Sequence, residues 1–441
     1  MAFKTFFKKS EKDISGGSDP SSLNNVSLDS ADTIPADSIL PPDKGYAWVV
    51  LLACFINLSL SLGALNSMGV FQTYYLQVMF VSVDASIIAW ISTATISISM
   101  CSGIASSMIL QKIGLRNASL VGSFFGSLGL LLASFSTKIW QLILTQGVIF
   151  GFGSGILLNI SLSVPSNWFV KHRPIALGIV ASGGGLGSLI FVPSLTEIVR
   201  VTTIGWAFRV IFFIYCPLSI VCSILLRYRI PVPPARRLLD FKLLKDPIVV
   251  WICVLGFFIQ IGSSVVFLYF PSSLVDLGYN QSLATNLIMV FSICNALSRM
   301  ASTLIAKKIK PATILIVIHA ISSVIIMAMW YKSTSFAKSL AFYVLIAIFG
   351  MPFFALQPLI VANYSIPENV APINGLVYLV MGISILIAVP SIGKVFQVAG
   401  KRHDYSQIIL IGFAAYILTT LSSIVLKYYT DKRDKKRAQE S

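Results

Sequence analysis

Residues 165–193 read PSNWFVKHRPIALGIVASGGGLGSLIFVP, a short charged segment between two apolar ones. Lys171 and Arg173 lie in the charged segment, as expected of a tight turn between two membrane helices. The apolar run that follows carries five glycines, Gly178, Gly183, Gly184, Gly185 and Gly187. Glycine removes side-chain volume from a helix face, so that a neighbouring helix can approach closely and move against it. The stretch therefore predicts a membrane helix that acts as a hinge, with these glycines as the hinge residues.

The composition agrees with a membrane protein. Of the 441 residues, 56% are hydrophobic and 11% are charged, and the mean hydropathy is +0.83, whereas a soluble domain carries about 25% charged residues. The net charge of +16 does not indicate nucleic-acid binding, because no basic patch is interleaved with aromatic side chains. The six cysteines fall within apolar runs and form no CxxC pair, so we expect neither a metal nor a cofactor.

Twelve apolar segments are long enough to cross a bilayer, which takes about 20 residues. They are residues 47–66, 85–108, 117–136, 139–163, 174–197, 205–226, 248–270, 283–306, 312–330, 337–360, 371–395 and 406–427. The predicted fold is therefore all-α and polytopic, with the lipid bilayer as its surroundings. Residues 1–44 are rich in Ser, Asp, Asn and Pro and are predicted to be a disordered tail. Residues 428–441 are predicted to be a basic tail.

Lysines and arginines are distributed unevenly between the two sides of the predicted membrane. With both termini in the cytoplasm, 24 of the 33 lie on that side, eight lie on the other side, and one, Arg299, lies within a span. This bias predicts cytoplasmic termini, because an excess of Lys and Arg marks cytoplasmic loops. Asn280 begins an Asn-Gln-Ser glycosylation sequon in a predicted outer loop.

The two halves of the chain repeat each other. A proline-rich, charged segment at residues 227–247 is predicted to be a cytoplasmic linker between residues 45–226 and 248–427. Two stretches of the first half align with the second: residues 105–115 match residues 301–311 at an offset of 196 with five identities, and residues 178–194 match residues 375–391 at an offset of 197 with eight. Matches at nearly one offset predict two pseudo-symmetric six-helix bundles with a site between them near the midplane. The repeat adds Gly375 and Gly382 to the predicted hinge.

Arg299 is the leading candidate for that site. A charge within a span costs at least about 2.5 kcal/mol on insertion scales, so it tends to face protein or a water-filled cavity. Its guanidinium group would bind an anionic or carbonyl-rich solute. The alternative is that it pairs with carbonyl groups at a helix end and holds the two halves together.

Amide side chains deep in the spans are the second group of candidate ligands, and each of them could instead join helices. They are Asn57, Asn66, Asn159, Gln260, Asn295, Gln357 and Asn363. Four aromatic side chains could stack on a planar solute or serve as packing: Trp90, Phe267, Tyr269 and Tyr378. His319 could exchange protons or simply pack. No acid lies well inside a span, so proton coupling lacks an obvious relay, and both symport and facilitated diffusion stay open.

Several motifs resemble the major facilitator superfamily and, within it, the fungal monocarboxylate-transporter-like branch. PPDKGYAWVV at residues 41–50 resembles that branch's PDGGYGWVV motif at the start of the first helix. GVFQTYY at residues 69–75, LQKIGLR at residues 110–116 and the glycine-rich stretch at residues 165–193 are similar to further family segments. The resemblance implies a monomeric rocker-switch carrier of a small organic solute in the plasma membrane, or in the vacuolar or another internal membrane.

The resemblance does not settle the solute. Asn66 stands where animal members have a lysine, and Asn295 stands where they have an aspartate four residues before the arginine. Riboflavin carriers are among the fungal relatives, so the expected solute is an organic anion, a monocarboxylate-like compound or riboflavin. A transporter-like sensor without net transport is the alternative. A membrane enzyme is not expected, because the spans hold no paired acids and no nucleophile with a base.

Overall fold

The computed structural model describes residues 41–229, 241–278, 281–331, 335–400 and 404–440. Within these ranges it contains twelve helices long and apolar enough to cross a membrane. These spans are α1 (Tyr46–Gln72), α2 (Ile87–Ile113), α3 (Leu115–Ala133), α4 (Ile139–Trp168), α5 (Arg173–Val201), α6 (Ile204–Leu225), α7 (Pro247–Leu274), α8 (Leu287–Ile305), α9 (Pro311–Trp330), α10 (Phe336–Tyr364), α11 (Pro367–Val398) and α12 (Ser406–Glu440). Each overlaps one predicted segment, so the predicted fold class is confirmed.

Local sequence sets where the helices begin and bend. Prolines near the first turn start α5, α9 and α11, where a missing backbone N–H costs nothing. Gly114, at a φ of 79°, separates α2 from α3, and a left-handed φ of this kind strongly favours glycine. A π-helical stretch interrupts α4 at Ile143–Phe150. Pro193 in α5 and Pro390 in α11 lie at equivalent positions of the repeat.

The ends of the chain differ from the sequence-based boundaries. The last helix continues past residue 427 to Glu440, so the predicted basic tail is helical through that residue. Arg433 pairs with Asp246 at 2.7 Å, and this contact ties the extension to the start of α7. At the other end, Asp43 lies within the predicted tail but is fixed against the loop between α4 and α5. The sequon at Asn280 and linker residues 230–240 fall outside the described residues.

The helices form two bundles, α1–α6 and α7–α12, that meet mainly along two seams. In one seam α2 packs against α11, and in the other α5 packs against α8. In the repeat, α2 is equivalent to α8 and α5 is equivalent to α11. The two seams are therefore equivalent to each other. The start of α1 and the extension of α12 lie at the same end of the molecule, here called the terminal end, since twelve crossings return the chain to the side where it started.

The predicted hinge glycines are places of close helix contact. A Cβ on Gly183 or Gly187 would overlap α1, and a Cβ on Gly178 or Gly185 would overlap α8. In the second half, a Cβ on Gly375 or Gly382 would overlap α2. Gly375 lies directly against Gly103, so the backbones of α11 and α2 touch. The glycines therefore bring helices together at both seams, and their part in hinge motion stays a prediction.

Candidate functional site

A cavity of about 810 Å³ lies between the two bundles. Its lining begins with Asp84 and Lys394 at the end opposite the terminal end, and it reaches Leu162 and Arg299 in the interior. Helices α1, α2, α4, α7, α8, α10 and α11 all contribute side chains to the lining. Volumes of about 300–1,000 Å³ are typical of sites that enclose a small organic molecule. The cavity is therefore in the position that the internal repeat predicts for a binding site.

Arg299 lies in the cavity wall near its inner end. Its guanidinium donates through Nε to Asn295 Oδ1 at 2.8 Å and through Nη1 to the carbonyl oxygen of Ala181 at 3.0 Å. The guanidinium carbon also lies 5.1 Å from the ring centre of Phe354, within the range of a cation–π interaction. The side chain is only 7% exposed. All three partners are neutral, so the positive charge of Arg299 is oriented but not cancelled by them.

Three of the predicted amide ligands line the same cavity. Asn295 does so while it holds Arg299, and Asn66 does so while its Nδ2 donates to Ser188 Oγ at 2.7 Å. Gln260 lines the cavity from α7, and its Oε1 is buried without a hydrogen-bond partner among the described residues. These three residues remain candidate ligands, together with Arg299.

The other four predicted amides do not line the cavity. Asn57 is fully buried in α1, and neither polar atom of its side chain has a partner in the described ranges. Asn363 is exposed near the terminal end, where its carbonyl oxygen accepts from Arg437 at 3.3 Å. Asn159 and Gln357 are buried in hydrogen bonds between helices. None of these four residues lines the cavity in this conformation.

All four aromatic side chains predicted as candidates lie at the cavity. Trp90, Phe267, Tyr269 and Tyr378 all line the cavity. Trp90 and Phe267 are 45% and 41% exposed, and Phe267 also packs edge-on against Phe291. Phe354, beneath the Arg299 guanidinium, was not predicted from the sequence, because one phenylalanine among 29 gives no signal of its position. The cavity thus combines apolar, partly aromatic walls with one buried cation.

A hydrogen-bonded chain of buried side chains closes the terminal side of the cavity. Gln357 Nε2 donates to Asn374 Oδ1 at 2.9 Å, and Asn374 Nδ2 donates to Ser163 Oγ at 3.0 Å. The chain continues from Ser163 Oγ to Asn159 Oδ1 at 3.4 Å. It crosses from the second bundle to the first, because Gln357 and Asn374 lie in α10 and α11 and the other two in α4. Asn374 was not predicted as a site residue from the sequence, because it lies in the first turns of α11, next to the predicted loop.

Arg173 adds a second bridge near the terminal end. It begins α5, and its Nη1 donates to the carbonyl oxygen of Ala362 in α10 at 3.1 Å. Arg433 and Arg437 of the α12 extension donate to the next two carbonyl oxygens, at Tyr364 and Asn363. The carbonyl end of a helix carries partial negative charge, which favours such cations. Arg173 is the one of the three that comes from the opposite bundle, so its bond joins the halves.

Few acidic or imidazole side chains lie at the cavity. Asp84, at the mouth, is the one acid among the side chains that line the cavity. His319 lies outside the lining, where its Nδ1 is 3.3 Å from Ser423 Oγ. In the described part of the chain no group of three His, Cys, Asp or Glu side chains could hold a metal ion.

The sequence profile of the Major Facilitator Superfamily matches residues 47–389. This match covers most of the chain, including eleven of the twelve helices in whole or large part. The chain therefore belongs to the Major Facilitator Superfamily, whose members are transporters rather than enzymes.

Curated relatives span nearly the same length. An MFS transporter of Aspergillus flavus, asaE, is 27% identical over 88% of this chain and 91% of its own length. A riboflavin transporter of Saccharomyces cerevisiae is 26% identical over 85% of this chain and 77% of its own. Both are thus similar over both bundles.

Solved structures share the fold. The human organic anion transporter MFSD10 aligns with a TM-score of 0.66 at 11% identity, over 85% of this chain and 100% of that one. A fucose:proton symporter of Escherichia coli aligns with a TM-score of 0.68 at 14% identity, over 87% and 99%. At these identities the likeness supports the fold and not the solute.

Proposed function

We propose that the protein is a secondary transporter that moves a planar organic anion across its membrane by alternating access of the central cavity. The observation that carries this proposal is the neutral surroundings of Arg299. A buried cation is costly unless a partner compensates it, and Asn295 and Ala181 supply only neutral oxygens. An anionic solute in the cavity would provide the missing charge.

The walls favour a planar solute. Trp90, Phe267 and Phe354 present aromatic rings along the cavity, and aromatic rings prefer offset or edge-to-face contact with other planar groups. An aromatic or conjugated acid fits this combination of rings and cation better than a sugar, which would need many paired polar groups.

Alternating access is supported by the asymmetry of the two ends. The cavity reaches Asp84 and Lys394 at one end, while the amide chain at Asn374 and the Arg173 bridge occupy the other. The bias of Lys and Arg supports a cytoplasmic location for the terminal end. The cavity would then open to the outside, with the plasma membrane as the proposed location and the vacuole as the alternative.

Facilitated diffusion is our preferred mode, since the deep lining offers no carboxylate for proton exchange. One solved structure with this fold is a proton symporter, so facilitated diffusion must be tested against proton symport. In proteoliposomes with the wild-type protein, we expect the initial rate of anion uptake to follow the solute gradient and to persist without a pH gradient. Uptake that stops when the pH gradient is collapsed would show symport instead.

Riboflavin is the second candidate solute, favoured by the similarity to a yeast riboflavin transporter. Its ring system is planar and neutral at pH 7, so it would use the aromatic walls more than Arg299. Competition between riboflavin and aromatic carboxylates for uptake separates the two candidates. A transporter-like sensor would bind a solute without moving it.

The test of the anion site uses two substitutions that each lower the charge of the site by one unit. Arg299→Gln removes the cation, and Asn295→Asp places a carboxylate where Asn295 Oδ1 already meets Arg299 Nε. We expect each change to raise the KM for anion uptake by about tenfold or more, because charge-assisted hydrogen bonds contribute about 1.5–3 kcal/mol. Asn295→Ala, which removes the amide without adding charge, should have a smaller effect than Asn295→Asp.

Arg200→Gln is the matched control, since this arginine lies on the surface in an exposed pair with Glu197. Abundance in the membrane is measured for every variant. Normal abundance with unchanged anion uptake in Arg299→Gln and Asn295→Asp would refute the proposed site.

A further inference from the structure

In the internal repeat, the position equivalent to Arg299 is occupied by a glycine. When the alignment of residues 105–115 with residues 301–311 is extended by two residues, Gly103 of α2 pairs with Arg299 of α8. The other alignment pairs Ala181 of α5 with Tyr378 of α11. Each seam between the bundles therefore contains one small residue and one large polar residue. The small residue of one seam is equivalent in the repeat to the large residue of the other.

In each seam the large side chain contacts the small residue. In the α5–α8 seam, Arg299 reaches over Ala181 and donates to its carbonyl oxygen at 3.0 Å. In the α2–α11 seam, Tyr378 packs over Gly103, where an added Cβ would lie 3.1 Å from the Cβ of Tyr378. In both seams the large side chain belongs to the second bundle and the small residue to the first. The pseudo-symmetry thus brings Arg299 and Tyr378 to similar depths on the two sides of one cavity.

The Tyr378 hydroxyl lacks a partner. The side chain is 2% exposed and lines the cavity, and its Oη makes no hydrogen bond to any described residue. Buried hydroxyl groups nearly always have a partner, because an unpaired one is unfavourable. Tyr378 and Arg299 both line this cavity, from α11 and α8.

The hydrogen bonds of Arg299 explain why a second donor is needed. Asn295 accepts from Nε and Ala181 accepts from one N–H of Nη1, which leaves the second N–H of Nη1 and both N–H groups of Nη2 for a solute. A carboxylate normally pairs with arginine through two parallel bonds that use two nitrogens. Here the fork of Nε and Nη2 is not available, because Nε already donates to Asn295. A donor from elsewhere in the wall would give a carboxylate bound at Nη2 a second contact.

We propose that the Tyr378 hydroxyl is this second donor, so that Arg299 and Tyr378 together hold the two oxygens of a planar aromatic carboxylate. The assignment rests on the proposed function, since it places a second anchor at the same site. It makes Tyr378 a determinant of specificity for the carboxylate over its neutral amide. Both anchors belong to the second bundle, so the solute would stay with that bundle as the first one moves.

The test measures binding to the full-length protein in lipid nanodiscs, with benzoate, 2-naphthoate and anthracene-2-carboxylate as probes, each beside its amide. Wild-type protein should bind at least one carboxylate more tightly than the matching amide. Tyr378→Phe removes only the hydroxyl oxygen, and we expect it to raise the carboxylate Kd by about tenfold, the usual effect of one hydrogen bond to a charged group. The Kd of the amide should stay the same.

Tyr416→Phe is the matched control, because the Tyr416 hydroxyl is also buried without a hydrogen-bond partner among the described residues but does not line the cavity, and its Kd values should equal those of the wild type. If Tyr378→Phe binds the carboxylate as the wild type does while Arg299→Gln binds it weakly, the second anchor is refuted and the anion site stands. Equal weakening of carboxylate and amide by Tyr378→Phe would also refute it, since that shows a packing role. If the wild type binds no carboxylate better than its amide, the proposed function fails as well.

Discussion

At the scale of single residues, the structure separates groups that sequence alone treats alike. The location of Arg299 in a cavity wall could be predicted, because a charge inside a span is costly and tends to face protein or a water-filled cavity. The candidate amides could not be sorted, because residue type does not show that Asn66 lines the cavity while Asn159 is buried between helices. The direction depends on how α1 and α4 rotate against their neighbours, which is a property of the packed bundles.

Asp43 is a residue whose contribution the structure revises. The composition of residues 1–44 predicts a disordered tail, yet the Asp43 carboxylate accepts backbone N–H bonds from Val170, Lys171 and His172 at 3.0–3.3 Å. Burial alone would raise its pKa, but these three bonds outweigh burial and hold the pKa below its ordinary value of 3.8. The carboxylate therefore fixes the start of α1 to the α4–α5 loop.

This geometry predicts the pH dependence of an Asp43 variant. Because the folded pKa is below the unfolded pKa, the stabilisation is fully present above pH 3.8 and is lost as the pH falls through the lower folded value. We expect Asp43→Asn to lower the free energy of unfolding by about 0.5–1 kcal/mol at pH 7, since the site is partly exposed and solvent screens it. Thermal unfolding of detergent-solubilised protein between pH 3.5 and 8 measures the difference.

The deficit of Asp43→Asn should be constant from about pH 5 to pH 8 and should shrink below that range. Asp84→Asn is the control, because Asp84 precedes α2 without a capping hydrogen bond from its side chain. A deficit that grows on acidification would contradict the role assigned to the Asp43 carboxylate.

At the scale of one helix, α5 shows what the glycine-rich stretch does. Gly187 faces α1, where a Cβ would overlap the backbone of Ser59. Gly184 faces the cavity side, where a Cβ would lie 2.6 Å from Cδ1 of Leu62 and 3.3 Å from Nη1 of Arg299. The stretch therefore combines helix contact with positioning of the arginine. The sequence predicted the close approach, but not that one of the glycines borders the candidate site.

Two alanine substitutions in α5 should therefore fail in different ways. Gly187→Ala forces two backbones apart, and overpacking of this kind costs about 1–3 kcal/mol, so we expect low abundance in the membrane and a lower unfolding temperature. Gly184→Ala meets the movable end of Leu62, so the protein should fold and reach the membrane. Its anion KM should rise by a factor of about two to five, because a shift of Nη1 by a few tenths of an ångström weakens a charge-assisted bond.

For Gly184→Ala and Gly187→Ala, abundance is measured by fluorescence-detected size-exclusion chromatography and the anion KM by uptake. Gly69→Ala is the control for abundance, since an added Cβ there meets nothing within 4 Å. Loss of abundance in Gly184→Ala with normal abundance in Gly187→Ala would reverse the assignment.

At the scale of the whole molecule, the repeat fixes the frame and the differences between the halves fix the site. Twelve spans and two bundles could be predicted, because apolar length and an offset of 196 or 197 are read directly from the chain. The site could be predicted only in part, because its asymmetry lies in pairs across the seams, such as Tyr378 on Gly103. Such pairs become visible only when helices distant in sequence are brought together.

The closed end is also a property of the assembled bundles. Arg173 bonds Ala362 across the halves, and Asn374 bonds Ser163 across them. Both bonds must break if the bundles rock apart at the terminal end, so they stabilise the conformation in which the cavity opens at the other end. A solute and these bonds then act on one equilibrium between two states, which each can shift only by its differential affinity for them.

Weakening these bonds should shift the protein away from the conformation described here. In Arg173→Gln and in Asn374→Ala, we expect a cysteine introduced at Ser272, which lines the cavity, to react more slowly with an impermeant maleimide added from the outside. The rate should fall by a factor of about three to ten, because each 1.4 kcal/mol changes an equilibrium tenfold and solvent replaces part of each lost bond. Labelling of the chain that lacks the Ser272→Cys change is subtracted to remove reaction at the native cysteines. Lys171→Gln is the control, since this exposed neighbour of Arg173 makes its one described hydrogen bond through its backbone. If both variants react at the wild-type rate, the bonds at the terminal end do not determine which way the cavity faces.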